Sequence, residues 1–157
     1  AQLAPLGRLF GPDPATSHVT TMGGTISVDG SGSRWPVYGS ARQQVESLEV
    51  VLANGDLVEF STHEIPAAAT SSDRLNRDLL LTGLADIIQH HNESIQTCQP
   101  SSLVNRCGYG LDDLVEINRL HLGRLLAGSE GTLGLITAAT VRTAMLPDHF
   151  GSVLFFF

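Results

Sequence analysis

Residues 45–60 read VESLEVVLANGDLVEF, two runs of alternating apolar and polar residues on either side of Asn54-Gly55. A period of two sets every second side chain on one face, the pattern of a strand with one face buried. Asn-Gly between two such runs supplies the two positive φ angles of a type I′ turn, so the stretch predicts an antiparallel β-hairpin. Residues 73–92 follow a different rhythm. Leu75, Leu79, Leu80, Leu84, Ile87, Ile88 and His91 fall at three- and four-residue steps after a Ser72 or Asp73 cap, which predicts an amphipathic helix docked on a sheet. A second, broken helical pattern runs through residues 111–126 by way of Leu114, Ile117, Leu120, Leu122, Leu125 and Leu126. Residues 133–145, rich in Thr, Val and Ile, read as strand. Residues 61–72 and 93–105 read as loop, and SVLFFF at 152–157 as an apolar strand.

Composition narrows the chemistry. The 157 residues include nine basic side chains, all arginine, against sixteen acids, for a formal charge of -7. Without lysine there is no GK[ST] phosphate loop, Schiff-base lysine or lysine general base, so the usual nucleotide hydrolases and pyridoxal enzymes are excluded. An acidic chain with no basic run is also a poor nucleic-acid binder, because counterion release needs clustered positive charge. No apolar run reaches the roughly 18 residues that suggest a membrane span, and the first residues lack the basic and apolar regions of a signal peptide. Cys98 and Cys107 lie in a polar stretch with no CxxC and no histidine at metal spacing, so they read as reduced thiols, no metal is expected, and the cytoplasm is the expected compartment. The six histidines, His18, His63, His90, His91, His121 and His149, are scattered; none is nominated as catalytic, and the catalytic residues stay unknown.

Glycine is the second anomaly, 16 of 157 residues, about 10 per cent where ~7 per cent is usual. The glycines concentrate in three places: beside Pro12-Asp13-Pro14 and Thr16, in Thr21-Met22-Gly23-Gly24 running on to Gly30, Gly32 and Tyr38-Gly39, and in Gly128-Ser129-Glu130-Gly131-Thr132-Leu133-Gly134. Glycines among hydroxyl residues let backbone N–H groups approach a ligand with no side chain between, as a pyrophosphate or a flavin edge requires. Each cluster alone also reads as tight turns joining short strands.

In this order and spacing the clusters resemble the FAD-binding domain of the FAD-linked oxidases and dehydrogenases, the vanillyl-alcohol oxidase type that includes glycolate oxidase and D-lactate dehydrogenase flavoproteins. The carrying residues are Pro12-Asp13-Pro14, residues 21–24, Arg34, Tyr38-Gly39, the LEVVLANGDLVEF hairpin, residues 106–112 and LLAGSEGTLGLIT, so the resemblance covers residues 9–146. It implies an α+β fold, the second lobe of a two-lobed FAD-binding domain, with a small, mostly antiparallel sheet and flanking helices. The cofactor is then FAD. Pro14 and Thr16 match the positions against the flavin. Thr21 would supply a hydroxyl, Met22, Gly23 and Gly24 would form a loop with backbone donors beside pyrophosphate and isoalloxazine, and Ser27 and Gly32 would lie near it. Ile136 matches the residue whose main chain meets the adenine side. Glu130 has two readings, a carboxylate bracing its own loop or a direct flavin contact. Arg34 either places a cation near the flavin or forms an ion pair bracing the glycine loop.

Asp29 departs from the family pattern, where asparagine is common. A carboxylate there would sit near an anionic cofactor, so Asp29 is expected to point away or to accept from backbone N–H groups. Residues 61–105 form a longer connection than compact relatives have, read as a surface insertion with contact to another domain or subunit as its rival. The resemblance further implies that residues 1–146 are the second lobe, that a first lobe precedes them, and that residues 147–157 begin a substrate or cap domain. The activity implied is oxidation of a small 2-hydroxy acid, D-lactate-like or glycolate-like, by hydride transfer to flavin, with an iron-sulfur domain or subunit as a possible partner. Two alternatives stand beside it: a cofactor-free scaffold domain of the same fold, and a nicotinamide-dependent cell-wall precursor reductase, which the GPDP and GSEGTLG strings fit poorly.

Overall fold

The computed structural model describes residues 2–64, 72–98, 102, 108–111, 114–116, 119–149, 151 and 153–156. A 3-10 turn at Ala4–Leu6 leads into strand β1 (Arg8–Leu9). The glycine-rich stretch that follows is held by three short helices, α1 (Met22–Ser27), α2 (Trp35–Tyr38) and α3 (Ala41–Gln44). Residues 21–24, expected as a loop, are therefore the cap and first turn of a helix. Thr21 accepts the Gly24 N–H through Oγ1 at 3.0 Å, the N-cap role that suits a short hydroxyl side chain.

The hairpin forms where it was expected, from β2 (Val45–Val51) and β3 (Leu57–Phe60) in antiparallel register from Leu48↔Phe60 to Val51↔Leu57. Its turn differs from the type I′ expectation. Gly55 takes φ +88° while Asn54 is not among the residues of positive φ, and the Gly55 N–H donates to Leu52 O at 2.9 Å. The connection is the longer kind in which one left-handed glycine follows the turn. Asn54 earns its place by side-chain chemistry instead: its Oδ1 accepts the Asp56 N–H at 3.0 Å, an Asx turn.

β4 (Thr62–Glu64) follows in a stretch of loop composition. The helical prediction for residues 73–92 is met by α4 (Ser72–His90), followed by α5 (Asn92–Thr97). Leu81, Ala85 and Ile88 of α4 are buried, one stripe at steps of four and three. Residues 111–126 are not the broken helix their spacing suggested. They give β5 (Val115–Glu116), β6 (Arg119–His121) and a helix only at α6 (Leu122–Leu126). The competing influence is tertiary pairing: β6 lies between β4 and β5, both antiparallel to it, and strand preference depends on such partners. β7 (Leu135–Val141) and β8 (Ala144–Met145) fill the strand expected at 133–145. None of Val153–Phe156, read as strand, lies in one; all four are exposed.

The fold is α+β with antiparallel sheets throughout its described strands, ordered β3-β2-β7, β4-β6-β5 and β1-β8. One core joins the first two: Ile26 of α1, Ala41 of α3, Leu48 and Val50 of β2, Phe60, Leu81 of α4, Leu120, and Leu122 and Leu126 of α6. The two glycine-rich regions reach each other through this core, since α1 packs on β7 and α3 on α6. Among the described residues no helix is long and apolar enough to cross a membrane.

Candidate functional site

The Pro12-Asp13-Pro14 turn is held by the segment that follows α1. Asp13 and Gly32 form a parallel bridge, with the Asp13 N–H donating to Ser31 O at 2.8 Å. Gly32 is required twice over: its φ is +81°, and a Cβ there would overlap the Asp13 backbone carbonyl. The Asp13 carboxylate receives the Arg34 N–H at 3.1 Å and Ser33 Oγ at 3.2 Å, and Arg34 Nε stands 3.1 Å from its Oδ2. Of the two readings of Arg34, the geometry therefore carries the ion pair that braces the turn. Pro14 is half-buried, and beyond it Thr16 is exposed, its Oγ1 paired with Thr20 Oγ1 at 2.6 Å.

The second region is α1 and the loop at residues 128–134. Helix α1 is anchored by Thr25 and Ile26, both buried, while Thr21, Met22 and Gly23 are exposed and Gly24 and Ser27 half-buried. Gly24 gives its N–H to the cap and Thr25 begins the helical ladder onto Thr21 O, so that among the described residues the Met22 and Gly23 amides are the donors of the first turn without a partner. The loop fastens to the other end of the same helix. Gly128 N–H donates to Ile26 O and Glu130 N–H to Ser27 O, each at 2.9 Å. Glu130 has φ +53° and an exposed side chain, and no hydrogen bond joins its carboxylate to a described residue. The bracing of this loop runs through its backbone rather than through that carboxylate. Thr132 Oγ1 closes it, donating to Ser129 O at 2.6 Å and paired with Tyr109 OH at 2.9 Å.

Sequence reasoning overlooked Arg42. Its Nε donates to Ala127 O at 3.0 Å, and its N–H donates to Asp29 Oδ1 at 2.8 Å. The Asp29 carboxylate is thereby turned inward onto a backbone N–H, as its unusual place in the pattern suggested.

The structure thus brings Ser27 and Glu130 together and sets Pro14 next to Asp13, which bridges Gly32; among the described hydrogen bonds none joins Thr16 to the Gly32 segment or to the loop at 128–134. Ile136 lies in β7, half-buried opposite Val50. Cys98 is a free, exposed thiol, and Cys107 lies outside the described residues, as do Arg106 and Asp112 of the 106–112 segment.

Gly23 tests whether these residues fit a flavin nucleotide. It is helical, exposed, without positive φ, and a Cβ added to it meets nothing within 4 Å. Among the described residues no packing contact calls for glycine there, and alanine is the better helix former. The open backbone at Gly23 leaves room for a ligand to pass close over it. The donor set agrees, with two unpaired amides and neighbouring hydroxyls and no charged side chain needed.

These features, on a small α+β fold, are consistent with a lobe of a FAD-binding domain. A family model for the FAD binding domain matches residues 1–61, which indicates FAD as the cofactor. Over nearly its whole length the chain is similar to D-2-hydroxyglutarate dehydrogenase of Pantoea ananatis, 32% identical over 157 residues and covering 94% of this chain. It is also 29% identical to glycolate oxidase subunit GlcD of Bacillus subtilis across 90% of this chain, and 29% identical to the mitochondrial D-lactate dehydrogenase [cytochrome] of Arabidopsis thaliana across 91%. The chain spans 15%, 20% and 16% of these three relatives.

Proposed function

We propose that the chain is the FAD-binding portion of a flavin-dependent oxidoreductase that oxidises a small 2-hydroxy acid. The cofactor half of this reading is supported by the FAD-binding family match over residues 1–61 and by the exposed, open backbone at Met22 and Gly23. The substrate half rests on the relatives, whose printed names specify 2-hydroxyglutarate, glycolate and lactate, all 2-hydroxy acids. FAD, when bound, supplies a two-electron acceptor for the carbon bearing the hydroxyl. The chain's own contribution is to bind and orient it. Residues 21–24 would offer Thr21 and the Met22 and Gly23 amides, with Ser27 and Glu130 at the far end of α1, Pro14, Thr16 and Gly32 on the neighbouring turn, and the main chain of Ile136 toward the adenine.

Because the chain is a small fraction of its relatives' length, the reading treats residues 1–146 as one lobe of the cofactor domain and residues 147–157 as the approach to a substrate domain, with electrons leaving to an acceptor such as an iron-sulfur partner. The exposed thiol of Cys98 is consistent with a reducing, cytoplasmic setting.

Gly23→Ala tests the reading directly. The variant should unfold at the same or a higher temperature than wild type without cofactor, while its FAD dissociation constant rises by about tenfold or more, equivalent to about 1.4 kcal/mol. Unchanged affinity would remove Gly23 from the site. Turnover of D-2-hydroxyglutarate, D-lactate and glycolate by the whole protein with a dye acceptor tests the substrate class, and inactivity on all three sinks that half.

A further inference from the structure

Arg42 is a charged residue withdrawn from solvent at the point where three glycine-bearing segments meet. Its side chain is 12% exposed and that of its partner Asp29 4%, with Arg42 Nε 3.7 Å from Asp29 Oδ2. The terminal nitrogens are enclosed by glycines from two other loops: a Cβ at Gly110 would overlap Nη1, and one at Gly128 would come within 2.5 Å of Nη2. Nη2 is buried with no hydrogen-bond partner among the described residues. A pair kept only for stability would be poorly chosen, since buried ion pairs seldom outperform apolar packing and an unmet donor adds a cost. The better-attested use of such a pair is to fix one arrangement among several.

The arrangement fixed here can be read from the bonds. Asp29 follows Val28, the C-cap of α1, and has φ +51°, so its side chain stands just past the end of that helix. Ala127, the acceptor of Nε, directly precedes Gly128, whose amide together with that of Glu130 docks the loop onto Ile26 O and Ser27 O. One guanidinium therefore spans the two halves of the α1–loop junction. We propose that Arg42 is a positioning residue, whose seat between Asp29, Ala127, Gly110 and Gly128 sets the 128–131 loop in register on α1 before FAD arrives. The ligand named in this proposal rests on the function proposed above; the loop register is measurable without it.

The test is amide hydrogen exchange on the whole protein, with and without FAD. Arg42→Ala leaves Asp29 buried without its cation and can unfold the chain, so Arg42→Lys, which keeps the charge but not the planar fork, carries the experiment. In cofactor-free protein the Gly128 and Glu130 amides should exchange about tenfold faster in Arg42→Lys, while Leu48 and Val50 in β2 keep their wild-type protection. With FAD, affinity should fall about tenfold, and Asp29→Asn, which retains an acceptor and tolerates positive φ, should stay close to wild type. Equal acceleration in loop and strand would make Arg42 a general stabiliser and overturn the proposal, as would unchanged loop exchange. A wild-type protein that takes no FAD refutes the functional reading instead, while the loop exchange still decides the role of Arg42.

Discussion

Asp29 and Glu130 are the only two described non-glycine residues with positive φ, at 51° and 53°. The left-handed region costs an ordinary side chain roughly 1–2 kcal/mol. Asp29 has a compensation in view, its carboxylate on the Arg42 N–H, and aspartate tolerates this conformation. Glu130 has none, with its carboxylate exposed and unbonded among the described residues. A strained residue is retained where the surrounding structure or a ligand requires it. Glu130→Gly is thus expected to leave the cofactor-free chain as stable as wild type or more stable by up to about 1 kcal/mol, and Glu130→Val to lose about 1–2 kcal/mol, both read by urea denaturation. A Glu130→Gly variant less stable than wild type would mean that the carboxylate holds the loop after all. The glycine motifs were legible because close approach and positive φ restrict residue type locally. Arg42 was not, because Asp29, Ala127 and the two glycines around it come from remote parts of the chain.

At the scale of elements, the same distinction separates what could be read from what could not. The hairpin carries its own alternation and its own turn, so β2 and β3 were visible in sixteen residues. β4 and the 111–126 segment were not, since leucines at 114 and 120 suit either period and the deciding contact is a long-range pairing of β6 with a strand of loop-like composition. Helix α4 was visible by its rhythm, but the buried face is narrower than its leucine content suggests. Leu81 is 2% exposed, whereas Leu79 and Ile87 are each 58% exposed. Leu81→Ala should therefore cost about 2–5 kcal/mol through the cavity it leaves, while Leu79→Ala should change stability by no more than about 0.5 kcal/mol. Comparable losses from both would place a partner on the outer face of α4.

For the whole molecule, the decisive fact is that short segments far apart in sequence are gathered around α1 and its neighbours by one core. A ligand spanning such a surface binds the folded state and not the unfolded chain, so it must stabilise the fold by linkage. At a free concentration of one hundred times the dissociation constant the gain is about 2.7 kcal/mol, worth roughly 5–11 °C in melting midpoint for a chain of this size. FAD and FMN share the flavin, but FMN lacks the adenylate half, which the reading assigns toward β7 and Ile136. FAD should therefore raise the melting temperature of the whole protein, and FMN at equal concentration should raise it distinctly less. Equal shifts would withdraw the adenine assignment while leaving the flavin contacts near residues 14–24 in place. No shift with either nucleotide would withdraw the cofactor from these segments altogether, and the glycine at position 23 would again need an explanation.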